Sequence, residues 1–127
     1  MALMHSLKII IQDKIKKPFY KSKESPDLML YILSGPSGSG KSTLTKYITD
    51  TYQSIKPVIT YTTRNKRVGE IDGTHYNFLS REVFLEKEKQ NFFIETNNYN
   101  NNLYGISREL LDNLQSGQDF IITPDIN

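Results

Sequence analysis

Residues 29–44 read Met29-Leu30-Tyr31-Ile32-Leu33-Ser34-Gly35-Pro36-Ser37-Gly38-Ser39-Gly40-Lys41-Ser42-Thr43-Leu44, and their order decides the fold. The apolar run at 29–33 has the length of a buried strand, and a glycine-rich turn follows it. Leu44, Tyr47, Ile48, Thr51, Tyr52 and Ile55 then recur at helical spacing. Within this strand, loop and helix, Gly35-x-x-x-x-Gly40-Lys41-Ser42 fits the phosphate-loop pattern in full. Glycines let backbone N–H groups approach phosphate oxygens, and the loop delivers them to a helix N-terminus, where an anion is favoured. Lys41 would reach the terminal phosphates, and the Ser42 hydroxyl would go to Mg²⁺. Gly35, Pro36, Ser37, Gly38, Ser39, Gly40, Lys41, Ser42 and Thr43 are therefore the candidate cradle for ATP or GTP.

Downstream, residues 57–63 form a second extended run, and residues 64–75 are a polar loop with Gly69 and Gly73. Tyr76-Asn77-Phe78-Leu79 reads as a strand. Ser80 is a fitting N-cap for a helix carrying Val83, Phe84 and Leu85. Phe92-Phe93-Ile94-Glu95 reads as a strand, residues 97–102 as an asparagine-rich turn, and Ser107 as the cap of a helix with Leu110, Leu111 and Leu114 inward and Gly117 as its stop. Phe120-Ile121-Ile122 is a last buried strand. Strands alternating with helices predict an α/β chain with a parallel sheet.

Upstream, residues 1–26 hold six lysines against Asp13 and Glu24, whereas the remainder holds ten basic against twelve acidic residues. We expect a basic N-terminal extension, poorly ordered, over 1–26 and one domain over 27–127. The whole chain of 127 residues carries a net charge of +2, which argues against a nucleic-acid binder. It has no cysteine, which excludes a disulfide scaffold, a thiolate metal site and a cysteine nucleophile and suits a cytoplasmic setting. No apolar run approaches the length of a membrane span, so no membrane association is expected.

Three blocks in order resemble guanylate kinases: the phosphate loop in the form Ser34-Gly35-Pro36-Ser37-Gly38-Ser39-Gly40-Lys41-Ser42-Thr43-Leu44, then Thr62-Thr63-Arg64-Asn65-Lys66-Arg67-Val68-Gly69-Glu70-Ile71-Asp72-Gly73-Thr74-His75-Tyr76-Asn77-Phe78, then Phe93-Ile94-Glu95 with Tyr104-Gly105. The resemblance runs from about Met29 to Asn127. It implies a P-loop nucleoside monophosphate kinase-like parallel sheet with a small mixed β insertion that binds GMP. It further implies that Arg64, Arg67, Tyr76 and Tyr104 hold the GMP phosphate, with Lys41, Arg64 and Arg67 as the catalytic cations. Glu70 would orient the base or the arginines. Glu95 and Asp125 would meet the guanine edge, and Thr60 stands where the family has a serine of the same site. His5 and His75 read as surface residues.

The chain departs from the family pattern at Ile106, where a serine or threonine hydroxyl would contact guanine, at Thr123, where an aspartate would stand near Mg²⁺, and at Pro124, where an apolar strand residue would stand. The resemblance also places the family's lid arginines and two further core strands beyond Asn127. It thus implies a shortened guanylate kinase homologue (family reaction ATP + GMP to ADP + GDP). Such a homologue would keep its grip on nucleotide, turn over little or not at all, and tend to self-associate through an open sheet edge. The alternatives are an active minimal kinase and a guanylate-kinase-like protein-binding module.

Overall fold

The computed structural model describes residues 29–36, 38–116 and 118–123. The expectations for residues 1–26, Ser37, Gly117, Pro124 and Asp125 lie outside them. In chain order the elements are β1 (Leu30–Ile32), α1 (Lys41–Thr51), β2 (Ile55–Pro57), β3 (Tyr61–Thr62), β4 (Asn77–Phe78), α2 (Arg81–Lys89), β5 (Phe93–Tyr99), β6 (Asn102–Ser107), α3 (Glu109–Gln115) and β7 (Asp119–Ile122). They divide into two compact units, Met1–Val58 with Leu111–Asn127, and Ile59–Leu110. None of the helices among the described residues is long and apolar enough to cross a membrane.

The first unit is built on a parallel three-stranded sheet in the order β1-β7-β2. Phe120, Ile121 and Ile122 are buried in succession, so β7 is covered on both faces. By contrast β1 pairs with β7 alone among the described residues, and Tyr31 and Ile32 stay 39% and 41% exposed. Helix α1 presents Lys41, Thr45, Ile48 and Thr49 as its half-buried side. Leu44, Tyr47 and Tyr52, which recur with Ile48 at helical spacing, are exposed, Tyr47 to 64%. Lys41 turns back to donate to the Gly35 and Pro36 carbonyls, and Thr45 and Ile48 follow it on the same side of the helix.

Two more boundaries differ from the sequence reading. Ile55 belongs to β2 rather than to the helix, because Tyr52 is already extended and its N–H closes on the Ile48 carbonyl. The run at 57–63 is not one strand. Its first residue ends β2, whereas Tyr61 and Thr62 form β3 in the other unit.

The second unit is a mixed sheet in the order β4-β3-β6-β5, with β3–β4 parallel and β3–β6 and β5–β6 antiparallel. Strand β5 runs on to Tyr99, and β6 follows where the sequence shows an asparagine-rich turn. The turn itself is only Asn100 and Asn101, both left-handed with φ of 49° and 60°, the backbone a two-residue hairpin needs. Ser107 accordingly ends β6 and does not cap α3, which begins at Glu109. Ser80 does cap α2, its hydroxyl accepting from the Val83 N–H at 3.2 Å.

The core of this unit is aromatic. Phe84 of α2 stacks on Phe93 of β5 with ring centroids 4.4 Å apart, and Tyr61 meets Phe92 and Phe93 edge-on at 5.3 and 5.6 Å. Leu103 joins Phe84 and Phe93, so one face of the sheet is closed by α2. Gly105 lets Phe93 lie on the sheet: a Cβ there would stand 2.7 Å from the Phe93 ring and 3.0 Å from Phe84. We therefore expect Gly105→Ala to overpack this core and lower stability by ~1–3 kcal/mol. In urea titrations the midpoint should fall with the slope unchanged, and an unaltered midpoint would show that the ring can move aside.

Candidate nucleotide site

In the first unit the candidate residues are brought together by backbone conformation. Gly40 is the N-cap of α1 at φ 89°, a left-handed position suited to glycine. No side chain caps the helix, and its first turn carries no acidic residue. Among the described residues its leading N–H groups are thus left to an outside acceptor, and no carboxylate of the first turn competes for them. The Pro36 carbonyl accepts from Ser39 N–H at 3.2 Å and from Lys41 Nζ at 3.1 Å, so the lysine lies folded over its own loop. The donor set fits a polyphosphate with Mg²⁺: backbone N–H groups and an ammonium for oxygens, and the exposed Ser42 hydroxyl for the metal. Among the described residues no cluster of three or more His, Cys, Asp or Glu could hold a metal by itself.

In the second unit the face of the sheet away from α2 carries the other candidates. Strand pairing sets Thr62 opposite both Tyr104 and Phe78, and Glu95 opposite Ile106. A one-residue register shift between Phe93 and Glu95 makes this possible. Residues two apart on a regular strand share a face. The shift lets Phe93 enter the core while Glu95 joins Tyr104 and Ile106 on the other side.

Arg64 lies on the loop after β3, its side chain only 10% exposed. Its guanidinium makes a fork-to-fork pair with Glu70, Nη1 to Oε1 at 2.8 Å and Nη2 to Oε2 at 2.9 Å, and Nη1 also donates to the Asn65 carbonyl at 2.9 Å. It is stacked over the rings of Tyr76 and Phe78, 5.2 and 5.7 Å from their centroids, and Tyr76 meets Tyr104 at 6.3 Å. Arg64 Nε is buried without a hydrogen-bond partner. Glu70 also accepts the Arg67 backbone N–H at 2.6 Å, which leaves the Arg67 side chain exposed above the loop. The bidentate bond holds the Glu70 carboxyl down at about 2 and raises Arg64 further. Of the two roles open to Glu70, its contacts are with the arginines.

The guanylate kinase sequence profile matches residues 28–127. The chain belongs to the guanylate kinase family. It is 43% identical over 97 residues to a guanylate kinase of Pseudomonas fluorescens, covering 76% of this chain and 47% of that one. A guanylate kinase of Helicobacter pylori is 46% identical over 82 residues, 65% of this chain and 40% of its own. The crystal structure of guanylate kinase from Anaplasma phagocytophilum superposes with a TM-score of 0.64 at 31% identity, over 80% of this chain and 50% of that chain. The chain therefore spans about half the length of the curated relatives it matches. The α/β class, with one parallel sheet and a small mixed one, agrees with this likeness.

Of the sequence candidates, Arg64, Arg67, Glu70 and Tyr76 are gathered within one loop and its strand, with Tyr104 beside them and Glu95 further along the same face. Thr60 lies next to β3, its carbonyl accepting from Asn77 N–H at 2.8 Å. Ile106 is buried to 1% exposure beside Glu95. Sequence reasoning missed Phe78, the second ring under Arg64, although its spacing from Tyr76 is that of one strand face. It also missed Thr62, whose hydroxyl accepts from Arg64 N–H at 3.1 Å. His75, read as a plain surface residue, is exposed but bonded: its Nδ1 accepts from Ile71 N–H at 2.9 Å.

A carboxyl held below its ordinary value stabilises the folded state above that ordinary value and loses the contribution as pH falls toward the folded one. Glu70→Gln should thus cost about 1.5–3 kcal/mol at pH 7, the strength of hydrogen bonds to a charged group. The gap to the natural chain should close between pH 4.5 and about 2. Denaturation midpoints of both proteins at pH 7 and pH 2.5 check this, and a gap independent of pH would contradict it.

Proposed function

We propose that this chain binds GMP on the mixed-sheet unit and the phosphates of ATP, with Mg²⁺, on residues 35–43 of the other unit. The observation that carries the reading is the Arg64–Glu70 pair seated on Tyr76 and Phe78. A guanidinium held this firmly by a carboxylate and two rings has a fixed plane to offer an anion. Arg67, free of side-chain bonds among the described residues, supplies the mobile fork. Tyr76 and Tyr104 complete the phosphate grip. Glu95, re-aimed by the register shift, faces the base: a carboxylate accepts from N1–H and N2–H₂ of guanine, donors that adenine lacks. Asp125 joins it in the same reading, and Lys41 with Arg64 and Arg67 would stabilise the transferring phosphoryl group.

Ile106 limits this specificity. It stands beside Glu95 without a hydroxyl to offer, so guanine loses a partner there. The domain of this activity is residues 27–127, with 1–26 as an extension, in a cytoplasmic protein. Turnover by these 127 residues is slow or absent, because Ile106 loosens the hold on the acceptor base and Thr123 brings no carboxylate toward Mg²⁺. The edge of β1 that is unpaired among the described residues, with Tyr31 and Ile32 exposed, is the place of self-association.

Calorimetry separates the two sites. Lys41→Ala should weaken ADP at least tenfold and leave GMP unchanged, whereas Arg67→Ala should do the reverse. Ile106→Ser should raise the GMP-to-AMP affinity ratio about tenfold, the worth of one satisfied polar group. The reading fails if GMP and AMP bind the natural chain and all three variants alike, and rapid GMP-dependent ADP release by the unmodified chain would overturn its slow-turnover part.

A further inference from the structure

We propose that Asn97 is a further binding residue of the mixed-sheet face, its side-chain amide donating to the O6 oxygen of a 6-oxopurine nucleotide, a role that rests on the GMP reading above. Beyond the register shift, β5 and β6 pair without interruption as far as the hairpin, with Glu95 opposite Ile106 and Asn97 opposite Tyr104. Glu95 and Asn97, two apart, therefore share the face that carries Ile106 and Tyr104. These four residues make the corners of a square, about 6.5 Å apart along a strand and about 5 Å apart across the pair. Glu95 and Tyr104 occupy one diagonal, and Asn97 and Ile106 occupy the other. A nucleotide with its base at Glu95 and its phosphate toward Tyr104 lies along the first diagonal, flanked by the second pair.

The two flanks differ in chemistry. Ile106 is 1% exposed and has no side-chain donor. Asn97 is half-buried, and its side chain makes no hydrogen bond to another described residue. Tyr104 leans away from it. The Tyr104 ring meets that of Tyr76 at 6.3 Å, and Tyr76 stands just before β4, at the opposite edge of the sheet from β5. The adjacent Asn98 is a contrast of the same residue type. It pairs with Leu103, lies on the α2 side of the sheet and is exposed.

The Watson–Crick edge of guanine has two donors, N1–H and N2–H₂, and one acceptor, O6. A carboxylate only accepts, so Glu95 takes the donors and leaves O6 without a partner. Ile106 offers O6 nothing. Thr60 precedes β3, and β6 lies between that strand and β5. An amide –NH₂ beside Glu95 on the same strand supplies the missing donor. Glu95 then excludes adenine, and Asn97 adds affinity for the 6-oxo group. An aspartate in its place would set an acceptor against an acceptor.

Calorimetry with three nucleotides tests the assignment: GMP; IMP, which keeps O6 and N1–H but lacks the 2-amino group; and purine riboside 5′-monophosphate, which carries only hydrogen at C6. Asn97→Ala should weaken GMP and IMP about tenfold each, the scale of one lost hydrogen bond, and leave purine riboside monophosphate unchanged. Asn97→Asp should weaken GMP and IMP further, and Asn98→Ala should change none of the three. Equal losses for all three nucleotides would put Asn97 on the ribose or phosphate, and a loss confined to GMP would put it on the 2-amino group. Either result overturns the assignment, as does no loss at all. A second measurement needs no variant and decides alone should Asn97→Ala fail to fold. In NMR spectra of the natural chain, one Nδ2 proton of Asn97 should move downfield with GMP or IMP and stay in place with purine riboside monophosphate. Nδ2 protons that stay in place while the backbone amides around Tyr104 respond to GMP would overturn the role. If none of the nucleotides binds the natural chain, the GMP reading falls and this role with it; if all three bind the natural chain and Asn97→Ala alike, only this role falls.

Discussion

The mixed-sheet unit depends on one constraint, the fit of the Phe93 ring against Gly105. Phe93 occupies the helix-facing side of the sheet only because β6 offers no side chain at 105. With the ring in place, β5 cannot continue in regular alternation and also present Glu95 on the opposite side. The register shift between them resolves the conflict. One irregularity thus separates an aromatic core from a polar face within three residues of chain. A flat, regular β5 would place Glu95 among Phe84, Phe93 and Leu103, where an unpaired carboxylate is costly.

The polar face is ordered by a second constraint, the desolvation of Arg64. A guanidinium only 10% exposed needs a partner of matched geometry, and Glu70 provides it with both oxygens. The ion pair alone would leave the orientation of the loop loose. The rings of Tyr76 and Phe78 fix the plane of the guanidinium from below, and Thr62 fixes the chain at Arg64 N–H. Glu70, by accepting also from Arg67 N–H, spaces the second arginine away from the first. The result is one cation held rigidly and one held only by its backbone, a division suited to a ligand that must first be captured and then aligned.

How far this was legible in the sequence depends on whether a residue's role is local. Gly40 announces its conformation, because a left-handed backbone before a helix needs glycine. Ser80 is as plain, since a cap acts within three residues. Strand β6 was hidden in an asparagine-rich stretch. Its Gly105 weakens any strand pattern, and only pairing with β3 on one side and β5 on the other makes residues 102–107 extended. In α1, Leu44, Tyr47, Ile48 and Tyr52 share helical spacing, yet only Ile48 of these is half-buried, beside Thr45 and Thr49, because hydrophobicity alone does not say which side of a helix packs.

The same contrast explains why Glu70 keeps two possible roles in the sequence and His75 reads as a plain surface residue. Each is a polar residue in a polar loop, six and four positions from its partner, and nothing in composition distinguishes a solvated carboxylate from one that carries a buried arginine. The distinction lies in what the partner would lose. Arg64 without Glu70 would be a desolvated cation, whereas Ile71, whose N–H donates to His75, is exposed and has solvent as its alternative. Polar loops are therefore best judged from the buried groups they serve: the desolvated Arg64 requires Glu70, and Glu70 in turn holds the loop at the Arg67 N–H.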